Sequence, residues 1–135
     1  MRLISAAVIA GGMALGFPAM ADDCENAQSQ TAMTECAAKA LQHADAKLNA
    51  HYKEIEGRLK DDASTRKLLV SAQRAWIAYR DAECTFQPSG AEGGSAYSML
   101  VASCKAGLTG ERAKALEDYL HCQEGDLSCP VPAGR

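Results

Sequence analysis

The sequence is poor in the residues that build large cores. Two Phe, four Tyr and one Trp serve 135 residues, few big anchors for a domain of this size, so covalent crosslinks have to supplement burial. No run of alternating β-branched residues occurs, which leaves no strand signal. No internal repeat with a period of about 20 to 50 residues appears. Catalytic signatures are missing too: no G-x-S-x-G elbow, no P-loop, no G-x-G-x-x-G and no H-E-x-x-H. His43, His51 and His121 fall in no ligand pattern and read as exposed helix residues. Gly90 to Gly94 is glycine-rich, but it follows a helical segment and carries Glu92, which repels phosphate. No two acids stand out as a general acid and base. These absences argue against an enzyme, and no cofactor or metal is expected.

The first 21 residues read as an export signal. Arg2 supplies a positive start, Leu3 to Phe17 an apolar run rich in Ala and Gly, and Ala19-Met20-Ala21 an A-x-A cleavage site. A membrane anchor is disfavoured by that composition, by Pro18 and by the acids that follow at once. A lipoprotein is disfavoured because Asp22 and Asp23 precede Cys24. Cleavage after Ala21 removes one of 14 basic residues and none of the 17 acidic ones, leaving 13 against 17, a formal charge of −4. That charge favours basic partners over nucleic acid. No membrane insertion is expected after cleavage. The three parts expected are a signal peptide over 1–21, a helical domain over 22–124 and a flexible tail over 125–135, whose Pro and Gly content predicts fraying beyond Cys129.

Six cysteines, Cys24, Cys36, Cys84, Cys104, Cys122 and Cys129, follow the signal, so three disulfides are the default in an oxidising compartment. Zinc would need paired C-x-x-C or Cys/His spacing, which is missing. Of about fifteen possible pairings, local proximity favours Cys24–Cys36, Cys84–Cys104 and Cys122–Cys129. Each would close a loop of about 8 to 21 residues, worth about 2–3 kcal/mol.

The predicted fold class is all-α: an antiparallel helical hairpin plus shorter C-terminal helices, stapled by disulfides. From Thr31 to Lys60, Met33, Ala37, Leu41, Ala44, Leu48, Tyr52, Ile55 and Leu59 recur at helical steps, with Ser29 or Thr31 as cap. A second helix is predicted from about Ser64 to Phe86, with Leu69, Ala72, Trp76, Tyr79 and Glu83 on one side and Asp61 to Ser64 as the turn and cap. A connection that short makes the two antiparallel neighbours. The register then puts Tyr52 opposite Gln73, Leu48 opposite Ile77, and Asp45 beside Arg80. Asp45 and Arg80 both sit on inward stripes, where a charge is costly unless paired. The expectation is an ion pair with Trp76 over the guanidinium; the alternative is that both charges snorkel to solvent. Removing one partner should then cost more than removing both. Beyond Cys84, residues 87–94 read as a flexible loop, Ser95 as the cap of a short helix to Cys104, and Thr109 as the start of a last helix.

These segments resemble a known family. Met33-Thr34-Glu35-Cys36-Ala37, Ala44-Asp45-x-x-Leu48-Asn49-x-x-Tyr52, Gln73-Arg74-Ala75-Trp76-x-x-Tyr79-Arg80-Asp81-Ala82-Glu83-Cys84, Gly93-Gly94-Ser95 and Leu108-Thr109-x-x-Arg112 are similar to the lysozyme-inhibitor LprI-like family, over about Cys24 to Cys122. The resemblance implies a small, exported, helical, cysteine-rich bacterial protein in a family named for inhibiting lysozyme. Asp45, Leu48, Tyr52, Gln73, Trp76, Tyr79 and Arg80 are motif members, and Trp76, Tyr79 and Arg80 read as core rather than contact.

Two functions follow. The first is a periplasmic or secreted inhibitor that blocks the cleft of a peptidoglycan-cleaving enzyme, with a basic lysozyme as partner. Its surface would be the 85–103 segment, pinned by Cys84–Cys104, with Ser95 and Tyr97 as candidate partner-binding residues whose hydroxyls meet catalytic carboxylates. That segment has no Lys or Arg, so it lacks the cation that best neutralises two acids, and the net charge aids on-rate more than specificity. The second is a non-enzymatic periplasmic interaction or envelope-stress module with another protein partner, which an exposed apolar patch on the helical hairpin would favour.

Overall fold

A computed structural model describes Cys24 and residues 26–134 of the chain; the expected signal peptide lies outside the described residues. The described part is helical, with α1 at Gln30–Arg58, α2 at Ala63–Phe86 and α3 at Tyr97–Leu120. A single 3₁₀ turn, Ser89–Ala91, stands between α2 and α3.

Local chemistry sets the helix starts. The Ser29 hydroxyl accepts the Ala32 N–H at 3.1 Å and caps α1. Asp62 caps α2, its carboxylate accepting the Thr65 N–H at 3.0 Å and the Ser64 hydroxyl at 2.9 Å. Helix α3 opens differently from the sequence expectation: Ala96 is its N-cap, without a side-chain bond, and Ser95 does not cap it. It also runs unbroken where two shorter helices were expected. Gly107 and Gly110 lie inside it, where they cost only about 1 kcal/mol each. Around them Thr109 and Ala113 are buried, and that packing outweighs the propensity.

The three helices run up, down and up. At one end Gln30 of α1 bonds to Met99 of α3; at the other, Arg58 of α1 donates to the Leu120 carbonyl at 2.9 Å. Helices α1 and α3 are therefore parallel, and they form the most intimate pair of the fold. Their core is Leu48, Ile55 and Leu59 against Ala113, Leu116 and Leu120; buried Ala37 and Ala44 let the backbones approach. Helix α2 touches α3 more lightly and stands off from α1. The hairpin connection is as predicted, but its two arms are not each other's main packing partners.

The reason lies in α2's inward line, which is Leu69, Gln73, Trp76, Arg80 and Cys84, rotated by about one residue from the apolar stripe. Two of these five are polar and need partners more than burial. Tyr79, expected in the core, is 55% exposed, because it precedes Arg80 and so points about 100° around the helix from it.

Three disulfides, Cys24–Cys36, Cys84–Cys104 and Cys122–Cys129, join Cα atoms 5.5 to 6.0 Å apart, normal bridging distances. The last one turns the chain back. Val131 is buried among Leu59, Leu116 and Leu120, and the Pro132 carbonyl lies 3.4 Å from Arg58. The segment over 125–135 was expected to be a frayed tail; residues 125–128 are exposed, but Cys129, Val131 and the Pro132 carbonyl instead pack against the ends of α1 and α3.

The α2 cap carries a pH signature. Hydrogen bonds from Thr65, then Ser64, hold the Asp62 carboxyl below the ordinary aspartate range. A lowered folded-state pKa stabilises above the unfolded value and is lost as pH falls through the folded one. Asp62→Ala will therefore lower the melting temperature at neutral pH, and its gap from the parent will close on acidification to about pH 3 and below. Thermal melts followed by circular dichroism across that range test it; a gap independent of pH would show that the carboxylate is not the capping group.

Candidate functional site

The charged and polar motif residues converge where all three helices meet. The Arg80 side chain is 15% exposed. Its Nη1 lies 3.4 Å from Asp45 of α1 and 3.2 Å from the Thr109 hydroxyl of α3. Its Nε and Nη2 are each 3.1 Å from Asp81, and its guanidinium carbon sits 5.2 Å from the Trp76 ring centroid. Lys105 of α3 reaches Asp81 at 3.1 Å. Two turns earlier on α2, buried Gln73 accepts from Arg112 Nε at 3.0 Å. Asp45, Trp76 and Arg80 meet as the register implied, but Asp45 is the most distant of the polar partners of Arg80 and its side chain is 43% exposed.

The electrostatics follow from this crowding. Desolvation pushes the Asp81 carboxyl up, but hydrogen bonds and charge from Lys105 and Arg80 outweigh it and hold it below the usual carboxylate range. The seam holds no nucleophile paired with a base. Among the described residues no three His, Cys, Asp or Glu side chains gather as a metal-holding group. What the seam can do is fix α2 against α1 and α3 in one register.

Between α1 and α2 runs an open groove of about 610 Å³. Of the seven motif residues named from the sequence, six line it: Asp45, Leu48, Tyr52, Gln73, Trp76 and Arg80. Burial first, and the Glu56 carboxylate second, push the Tyr52 phenol up. Tyr79 lies elsewhere, in a shallow depression with Glu83, Gln87 and Leu108.

Ser95 and Tyr97 are not in the seam. Ser95 is exposed on the segment between α2 and α3, and Tyr97, the first residue of α3, is half-buried. This segment read as flexible from its glycines, yet it is internally bonded. Ala91 donates to the Pro88 carbonyl at 2.9 Å, Glu92 to Ser89 at 3.2 Å, Gly94 to Ala91 at 2.9 Å and Tyr97 to Gly94 at 3.3 Å. Cys84–Cys104 ties its base, Pro88 is buried, and Gly93 takes φ +81°, a conformation that favours glycine. The outcome is a short rigid projection.

Sequence reasoning missed Arg58, which holds the end of α3 and the returning tail; a cation in a helix's last turn is the signal that could have raised it. The Gln73–Arg112 bond had no signal, since two polar residues on different helices reveal no contact.

Comparison with known proteins places these features in context. A family model described as "Lysozyme inhibitor LprI" matches residues 21–116, which covers the seam and the rigid projection and leaves out the Cys122–Cys129 return. An uncharacterized protein of Rhizobium meliloti (strain 1021) is 34% identical over 113 residues, 76% of this chain and 81% of the relative. The crystal structure of a DUF1311 family protein from Pseudomonas putida KT2440 is similar with a TM-score of 0.62 at 28% identity, covering 69% of this chain and 95% of that one.

Proposed function

The chain belongs to the LprI family of lysozyme inhibitors, and from that premise we propose that it is an exported, non-enzymatic inhibitor that occludes the cleft of a peptidoglycan-cleaving enzyme with the projection between α2 and α3. The observation that carries the reading is the preorganisation of this segment: a disulfide at its base and four turn hydrogen bonds limit the ordering cost of binding. Ser95 is exposed on this segment and offers a hydroxyl to the catalytic carboxylates, with the half-buried Tyr97 two residues on. The excess of acidic residues steers a basic lysozyme toward the protein and speeds the encounter. Disulfides and family membership together support export to the periplasm or beyond the cell.

The test is lysis of bacterial cell walls by lysozyme, followed by turbidity, with the oxidised protein from Asp22 to Arg135 titrated in. Dose-dependent protection by the oxidised form, absent after reduction and alkylation, is expected. Ser95→Glu will weaken inhibition at least about tenfold, because it sets a carboxylate against carboxylates. Its melting temperature will hold or rise, since an acid just before α3 suits the helix dipole. No protection against c-type or g-type lysozyme at high excess and low salt would sink the inhibitor reading and leave the interaction module with another partner.

A further inference from the structure

Helix α2 has a second apolar face that no other described element covers. Leu68, Ala72, Ala75, Tyr79, Ala82 and Phe86 follow one another at steps of four and three residues, the spacing of a coiled-coil seam. All six are exposed, with Leu68 at 69%, Tyr79 at 55% and Phe86 at 74%. The flanking line of Ser71, Ala78 and Thr85 is exposed and uncharged as well. Charged residues border the face: Glu83 lies beside Tyr79 on one side, and Lys67, Arg74 and Asp81 lie on the other, past Ser71 and Ala78. A helix that already buries one side, as α2 does through Gln73 and Cys84, has no intramolecular need for another.

We propose that this face pairs with the same face of a second copy, antiparallel, about a two-fold axis near Ile77. The order of residues is the argument. Leu68 and Phe86 lie nine residues either side of Ile77, Ala72 and Ala82 five, and Ala75 and Tyr79 two. An antiparallel pair therefore sets Leu68 against Phe86 of the second copy, Ala72 against Ala82, and Tyr79 against the small Ala75, each twice. Large meets small at the centre and two large residues meet at each end, so the surface is complementary to itself, as a two-fold interface requires.

The area fits a modest dimer. Covering a large exposed side chain removes roughly 100–150 Å² from water. Six of them across the axis, with the alanines, reach on the order of 1,000 Å², the lower edge for specific interfaces. The association is accordingly weak, with a dissociation constant on the order of micromolar. It is independent of lysozyme binding, and it leaves the projections that follow Phe86 at opposite ends of the pair, displaced along α2 by roughly 27 Å.

Sedimentation of the oxidised protein from about 1 μM to about 1 mM tests this. The mass should climb from one copy toward two. Ala75→Glu, and independently Ala82→Lys, should remain single-copy throughout with unchanged circular dichroism and melting. Ala78→Cys should form a bridge to its own mate on mild oxidation, while Ser71→Cys should not. A parent chain of single-copy mass at the highest concentration would overturn the proposal, as would a dimer that survives both charge substitutions. Equal crosslinking at Ser71 would overturn the antiparallel arrangement. If the mass rises only when lysozyme is added and Ala75→Glu abolishes that rise, the face belongs to the enzyme and the second copy is not its occupant.

Discussion

Arg80→Met will destabilise the folded protein by about 3 kcal/mol and lower its melting temperature by roughly 10–15 °C. Methionine matches the length and apolar stem but strands what the guanidinium held. The Thr109 hydroxyl, on a residue with no exposure, loses its donor, which costs about 1–3 kcal/mol. The contact over Trp76 adds about 0.5–1 kcal/mol. Asp81 and Asp45 are nearly half exposed on their side chains, so water takes over part of their solvation and keeps the total at the lower end for a broken buried pair. Asp45→Asn will cost less than about 1 kcal/mol, since its contact is long and half in solvent. The sequence reading, in which losing one partner costs more than losing both, treated the two as an isolated pair. With Arg80 shared among Asp45, Asp81 and Thr109, the double variant will track Arg80→Met alone. Arg80→Lys will recover only part of the loss, because an ammonium lacks the planar fork that reaches several acceptors. Urea unfolding of the four variants measures this; a change below about 1 kcal/mol for Arg80→Met would show that the seam does not hold α2 in place.

Removing Cys84–Cys104 has the next largest effect, and it separates function from stability. The bridge spans 20 residues, so its loss in a Cys84→Ala, Cys104→Ala chain will cost about 3 kcal/mol. Inhibition of lysozyme will fall further than the unfolded fraction accounts for, since the projection loses its anchor and pays its ordering entropy on binding. Removing Cys122–Cys129, which spans 7 residues, will cost about 2.5 kcal/mol yet leave inhibition of the folded protein intact. Titrating both variants well below their melting temperatures gives the comparison. A Cys84/Cys104 variant that inhibits as well as the parent when folded would exclude the projection as the contact.

Helix periodicity and the first two caps were legible because they are local: Ser29, a cap within Asp61 to Ser64, and the steps of three and four between Ala37 and Leu59 act within a turn or two, whereas Ser95, read the same way, caps nothing. Cysteine pairing was legible by proximity for the same reason. The identity of α1's partner was not. Following apolar residues alone led to Ala72 and Tyr79 as inward positions beside Arg80, because Arg112 and Thr109, the polar partners that bury Gln73 and share Arg80, come from a distant helix. Thr109 misled in the opposite direction, since a Thr shortly before an acid resembles a helix start locally, where its complete burial places it inside one continuous helix. The projection was misjudged as flexible because composition registers its glycines but not the hydrogen bonds they permit.

The intimacy of α1 with α3 has a consequence for how the chain reaches its native state. The first helix and the last share the core, so its contacts close loops on the order of 60 residues, which folds more slowly than a local hairpin at equal stability. A chain delivered N-terminus first therefore cannot complete this core until Leu116, Leu120 and finally Val131 arrive. Until then Leu48, Ile55 and Leu59 are bare. The waiting period, rather than the finished fold, is when this protein most needs a holding chaperone and is most open to proteolysis.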